Sequence, residues 1–183
     1  RFARAGFDLV LVARRADRLP LPVKARAQEH GIRARVAPAD LAQPGAAQQL
    51  AAALKRARRP IDVLVNNAGV LEHGRFVDMP AKRHAELIAL NVAGLTDMLA
   101  CFVPAMVERG SGRVLNVASI AAFQPVPTLA TYAATKAYVL SLTESLAEEL
   151  KDSGVTVTAL CPGITATPML GRARQADSKL ARL

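Results

Sequence analysis

Tyr132 and Lys136 stand four residues apart in Tyr132-Ala-Ala-Thr-Lys136. That spacing puts both side chains on one face of a helix, offset by about 40°. A phenol is a poor acid or base at neutral pH because its pKa is about 10. A neighbouring ammonium favours the phenolate, and lowering a pKa by about one corresponds to about 1.4 kcal/mol. The helix therefore pairs a tunable proton donor with the cation that tunes it. Taken alone the pair is common on amphipathic helices, so its meaning depends on its company.

Ser119 stands thirteen residues before Tyr132, at the end of the apolar run Arg113–Val117. It either donates to a substrate carbonyl oxygen or caps a helix or turn. Asn91 lies inside the long apolar stretch Ala81–Glu108, where it is a poor helix former and costly to bury unpaired. It either caps a local kink or holds a water near the site. Asn66-Asn67-Ala68-Gly69 directly follows the run Ile61–Val65. Its small residues and glycine let a ligand approach the backbone, or they make an ordinary turn. Pro162-Gly163 ends the last run, with the hydroxyls of Thr165 and Thr167 just beyond.

The elements that must position these residues alternate. Short β-branched runs at Asp8–Ala13, Arg33–Pro38, Ile61–Val65, Arg113–Val117 and Val155–Leu160 predict strands. Helical patterns at Pro22–His30, Ala46–Arg58, Ala81–Glu108 and Thr131–Lys151 separate them. The alternation predicts βαβ units around a parallel sheet whose strands are covered on both faces. In such a sheet, ligands bind beyond the carboxyl ends of the strands. Arg14 and Arg15 occupy that position after the first run, where a dinucleotide fold carries a carboxylate for ribose hydroxyls or an arginine for a 2′-phosphate. Ala13 supplies no carboxylate, and position favours the phosphate role over plain surface charge. Asp40-Leu41 follows the next run, and Asp40 either holds an adenine edge or caps a helix.

Composition excludes other classes. At 183 residues and 51% hydrophobic, the chain can bury the core of one α/β domain. The net charge of +9 comes from dispersed basic residues, and only 4% of residues are aromatic, which weakens nucleic-acid binding. Val92–Val107 is broken by Thr96, Asp97 and Pro104, so no membrane span is expected. Cys101 and Cys161 lack a CxxC partner and are expected as buried free thiols of a reducing, cytoplasmic compartment. The three histidines form no metal motif.

Together these residues resemble the short-chain dehydrogenase/reductase family. The likeness rests on Asn66-Asn67-Ala68-Gly69, Asn91, Ser119, Tyr132 with Lys136, and Pro162-Gly163-Ile164-Thr165-Ala166-Thr167, in that order. It runs over essentially the whole chain. It implies a Rossmann-type, doubly wound parallel sheet with helices on both faces, forming a single domain over 1–183. Leu9 to Arg18 resembles the NADP-preferring branch. The resemblance implies that Tyr132 is the acid/base, Lys136 lowers its pKa and binds the nicotinamide ribose, Ser119 holds the substrate carbonyl, and Asn91 positions a water. NADP(H) would be held by Arg14, Asp40, Leu41, Asn67, Ala68, Gly69, Tyr132, Lys136, Gly163 and Thr165. The substrate would be a small carbonyl or alcohol compound, and the assembly a homodimer or homotetramer. The family's opening strand with its TGxxxGxG-type turn has no counterpart in this sequence, nor has its last strand and helix. The chain is therefore expected to be a fragment, with the first strand and C-terminal end missing, and by itself to be inactive, aggregated or partly folded, and a weak binder of the cofactor. A catalytically silent cofactor-binding regulator and a non-functional fragment are the competing readings. The joint presence of Asn91, Ser119, Tyr132 and Lys136 argues against the regulator.

Overall fold

The five predicted strands all form. A computed structural model describes residues 1–14 and 20–163, and these divide into two compact units, Arg1–Asp40 and Leu41 onward. Thr165, Thr167 and Arg15 lie outside the described residues.

In the first unit, β1 (Leu9–Ala13) pairs in parallel with β2 (Ala34–Pro38), Leu9 opposite Ala34 and Ala13 opposite Pro38. The crossover is α1 (Pro20–His30). It begins at Pro20, before the predicted Pro22, because proline at the first helical position gives up no hydrogen bond. It stops at Gly31, whose φ of 63° closes the last turn. Asp8 accepts from the Arg33 backbone at 2.8 Å and from its Nε at 2.7 Å, joining the starts of the two strands.

The second unit holds three parallel strands in the order β3 (Val63–Asn66), β4 (Gly112–Val117), β5 (Val155–Leu160). Register pairs Asn66 with Asn116 and Val117 with Leu160. α2 (Ala46–Arg56) ends two residues before the predicted Arg58. Arg58 itself takes the left-handed conformation at φ 49°, and Arg59 N–H bonds back to Leu54, a closure glycine usually provides.

The predicted helix Ala81–Glu108 is three pieces: α3 (Ala81–Ile88), a π-helical segment (Ala89–Gly94) and α4 (Leu95–Glu108). By length and composition this 28-residue run is long and apolar enough to cross a bilayer, despite its interruption by Thr96, Asp97 and Pro104. Leu95, Met98, Leu99, Phe102, Val103 and Met106 are buried, and α4 packs on α2, β3 and β4 as a core helix. It lies so close to the sheet that a Cβ on Gly112 would meet the Met106 side chain at 2.6 Å.

α5 (Ala130–Glu149) packs on β4 and β5. It covers the face on which Leu64, Asn66, Val114, Asn116, Val155 and Val157 are buried. The alternate residues Val65, Arg113, Thr156, Thr158 and Leu160 are exposed. Cys101 and Cys161 are free thiols, as expected, but both are half-buried rather than buried. Burial, then Asp97, pushes the Cys101 thiol up.

Candidate active site

The carboxyl ends of β3, β4 and β5 converge with the first turns of α5. Ala118 N–H bonds to Leu160 O at 2.8 Å and Ile120 N–H to Pro162 O at 3.1 Å. The parallel pairing thus continues past both strands and fixes Ser119 between those two bonds. Ser119 Oγ accepts from Ala121 N–H at 3.1 Å, capping the 3₁₀ turn Ile120–Ala122, which packs on α5. The cap uses one acceptor position of the hydroxyl, and its proton stays available to donate. The two alternatives for Ser119 are therefore compatible.

Tyr132 and Lys136 occupy successive turns of α5, as the spacing predicts, with Lys136 Nζ 5.8 Å from the centre of the Tyr132 ring. Lys136 is only 7% exposed. Its ammonium donates to the carbonyl of Val117, the last residue of β4, at 2.8 Å. Burial pushes its pKa below the ordinary lysine value, and Cys161 pulls it back up. A Cβ on Gly69 would come within 3.6 Å of that nitrogen and 3.3 Å of Asn91 Oδ1. Glycine there keeps the backbone open beside the cation.

Asn91 lies in the π-helical segment and is 1% exposed. Its side-chain amide pairs with the backbone of Val70, accepting from N–H and donating to C=O, both at 2.9 Å. A second donation goes to Thr135 Oγ1 at 3.1 Å. Asn91 sits at a local break in the α-helix, but its side chain does not cap that break: it reaches across to hold the loop after β3. That loop contains no turn or bend over Asn67–Val70, so it is not an Asn-Gly turn. Asn66 ends β3 and donates to Asn116 Oδ1 at 2.9 Å.

Further out, Gly74 N–H bonds to Thr128 O at 2.9 Å, and His73 Nε2 lies 2.8 Å from Thr128 Oγ1. The loop after β3 is thereby tied to the entry of α5.

The remaining predicted cofactor residues divide. Gly163 is exposed just beyond β5, and among the described residues no atom stands within 4 Å of where its Cβ would be. Leu41 turns its carbonyl toward Gly94, where a Cβ would come within 2.3 Å. Arg14 directly follows β1 in the first unit and is exposed; Asp40 is half-buried two residues beyond β2. Gly45 takes the N-cap of α2, so Asp40 does not cap that helix. Among the described residues no three His, Cys, Asp or Glu side chains gather as a metal set would.

Residues 1–178 match the model of the family described as short chain dehydrogenase. This chain belongs to that family. The short chain dehydrogenases are oxidoreductases, and the relatives agree. A protein named oxidoreductase UcpA from Escherichia coli is 36% identical over 92% of this chain and 64% of its own length. A short-chain dehydrogenase from Sphingobium yanoikuyae, solved in complex with NADPH, superposes with a TM-score of 0.89 at 39% identity, over 95% of this chain and 68% of that one. The bulky-bulky ketone specific alcohol dehydrogenase from Comamonas testosteroni gives 0.85 at 32% identity, over 99% and 74%. This chain thus spans 64% to 74% of the length of these relatives.

Sequence reasoning missed Thr135, Asn116 and Thr143. Asn116 is fully buried and donates to Thr143 Oγ1 at 3.0 Å, and Thr143 donates to Val139 O. A polar residue inside the apolar run Arg113–Val117 was the signal, because such a residue needs a partner.

Proposed function

We propose that this chain carries the catalytic centre of an NADP-dependent oxidoreductase that interconverts a carbonyl and a hydroxyl group. The observation that carries the reading is the buried Lys136 ammonium, docked on Val117 O beside the Tyr132 ring and an open Gly69 backbone. NADP(H), when bound, supplies or accepts the hydride.

The residues present fit that cofactor. Lys136 spends one of its three N–H groups on Val117, leaving two for ribose hydroxyls. Exposed Asn67 and Ala68, with Gly69 beside them and exposed Gly163, give room for a flat ring to lie close. Arg14, with no carboxylate at Ala13, suits a 2′-phosphate. Asp40, Leu41 and Thr165 are the further contacts proposed.

In reduction, Ser119 donates its hydroxyl proton in a hydrogen bond to the carbonyl oxygen and Tyr132 transfers its phenolic proton to that oxygen. Lys136 stabilises the phenolate left behind. Asn91 holds the loop and helix against which this exchange takes place. In oxidation, the phenolate takes the alcohol proton. The exposed Phe76, Val77 and Ile88 support a homodimer or homotetramer.

Turnover of the full-length protein on a series of ketones of increasing bulk tests the reading. NADPH is expected to outperform NADH by roughly 10- to 100-fold, the worth of one charge-assisted contact. Tyr132→Phe is expected to retain NADPH binding and lose about 10²–10⁴-fold in kcat. Near-normal turnover by Tyr132→Phe would remove the proton-donor assignment.

A further inference from the structure

Thr135 has no role so far, yet it stands between two residues that do. It is 3% exposed. Its hydroxyl accepts from Asn91 Nδ2 at 3.1 Å and donates to the Tyr132 carbonyl at 2.7 Å. We propose that Thr135 is a positioning residue for proton transfer by Tyr132: it fastens the first turn of α5 to Asn91, and through Asn91 to the loop after β3. The inference rests on Tyr132 being the acid/base.

A count of hydrogens shows how tightly the link is specified. Asn91 Nδ2 has two, one given to Val70 O and one to Thr135. Thr135 has one, given to Tyr132 O. Each donor has a single destination, so the direction of every bond from Val70 to Tyr132 is fixed. The remainder of α5 is held independently, by Lys136 on Val117 and by Thr143 on Asn116. The start of α5 is also tied outward, by Thr131 to His84 and by Thr128 to His73, so removing the Thr135 hydroxyl leaves the helix docked and takes away the inward tie on the turn that bears the phenol. A displacement of about 1 Å at a reacting group can cost roughly 10²-fold in rate.

Thr135→Val keeps the β-branched shape and deletes only the hydroxyl; Thr135→Ser keeps the hydroxyl and deletes a methyl. Both are assayed on a ketone the wild type reduces, with Tyr132→Phe alongside and NADPH affinity measured by calorimetry. For Thr135→Val we expect kcat to fall by about 10- to 100-fold while NADPH affinity stays within about threefold. Thr135→Ser should recover most of that loss. If Thr135→Val folds poorly, Thr135→Ala removes the same hydroxyl without crowding and carries the same expectation.

Wild-type kcat in either hydroxyl-less variant overturns the proposal. So does a Thr135→Ser enzyme as slow as Thr135→Val, or a loss confined to cofactor affinity. A normal Thr135→Val beside an inactive Tyr132→Phe sinks the positioning role alone. An active Tyr132→Phe instead sinks the acid/base reading on which it rests.

Discussion

Two buried polar chains end on the same helix, and they are built alike. In one, Asn91 donates to Thr135, which donates to Tyr132 O; in the other, Asn116 donates to Thr143, which donates to Val139 O. Each runs from an asparagine amide to a threonine hydroxyl to a carbonyl of α5. What differs is the origin and the destination. The Asn116 chain starts inside the sheet, with Asn66 also donating to it, and ends at fully buried Val139. The Asn91 chain starts in a break between helices, grips a loop, and ends at the turn bearing a half-buried phenol. The same chemistry serves cohesion in one place and alignment in the other.

Lys136→Met is expected to give the largest effect, because it empties the space between the two chains of its charge. Turnover should fall by roughly 10²–10⁴-fold, as for loss of an acid/base partner. Stability should move the other way. The folded-state pKa of Lys136 lies below its ordinary value, so the unfolded chain binds this proton more tightly and the buried charge destabilises the fold at neutral pH. That penalty fades as pH climbs through the window between the depressed and the ordinary value. The Met variant should melt above wild type at pH 7, and the gap should close toward about pH 10, near the ordinary lysine value. A Met variant that melts lower at pH 7 would show the Val117 bond outweighing the desolvation.

Asn116→Ala tests the cohesive chain. It leaves an Asn66 amide hydrogen without its acceptor and the Thr143 oxygen without its donor in a buried site, which should cost about 2–4 kcal/mol of stability. Denaturant unfolding reads the loss. The fraction that remains folded should keep kcat within about threefold, whereas a catalytic loss as large as that of Thr135→Val would erase the distinction between the chains.

Gly69→Ala should give the smallest effect. Its Cβ would press on Asn91 Oδ1 at 3.3 Å, a crowding relieved by a shift of a few tenths of an ångström. NADPH affinity is expected to weaken by roughly 2- to 10-fold, about 0.4–1.4 kcal/mol, with little change in melting temperature. Unchanged affinity would mean that the ligand does not approach this backbone.

The strands were legible because β-branched runs between glycine and proline stops leave little choice, and β5 falls on its predicted residues, Val155–Leu160. The Tyr132–Lys136 pair was legible because helix geometry makes a spacing of four a neighbour relation. The docking of Lys136 on Val117 O was not, since it joins residues nineteen apart through a fold. Thr135 stayed hidden for a different reason. Inside Tyr132-Ala-Ala-Thr-Lys136 a threonine looks like filler, and only the position of Asn91 across the interface gives its hydroxyl a purpose. The end of α2 at Arg56 was misjudged because Arg58, left-handed at φ 49°, closes the helix where no glycine marks the stop.

The π-helical segment acts as a phase adjuster. A π turn accommodates an extra residue relative to an α-helix, and each residue turns an α-helix by about 100°. Deleting one residue within Ala89–Gly94 would therefore let the 28-residue run close into one uninterrupted rod with α3 and α4 still facing as they do. Buried Leu87 would keep its packing, while Asn91 would lose the bulge that presents it to Val70. A further inserted residue, with no second bulge to absorb it, would instead rotate α3 against α4 by about 100°.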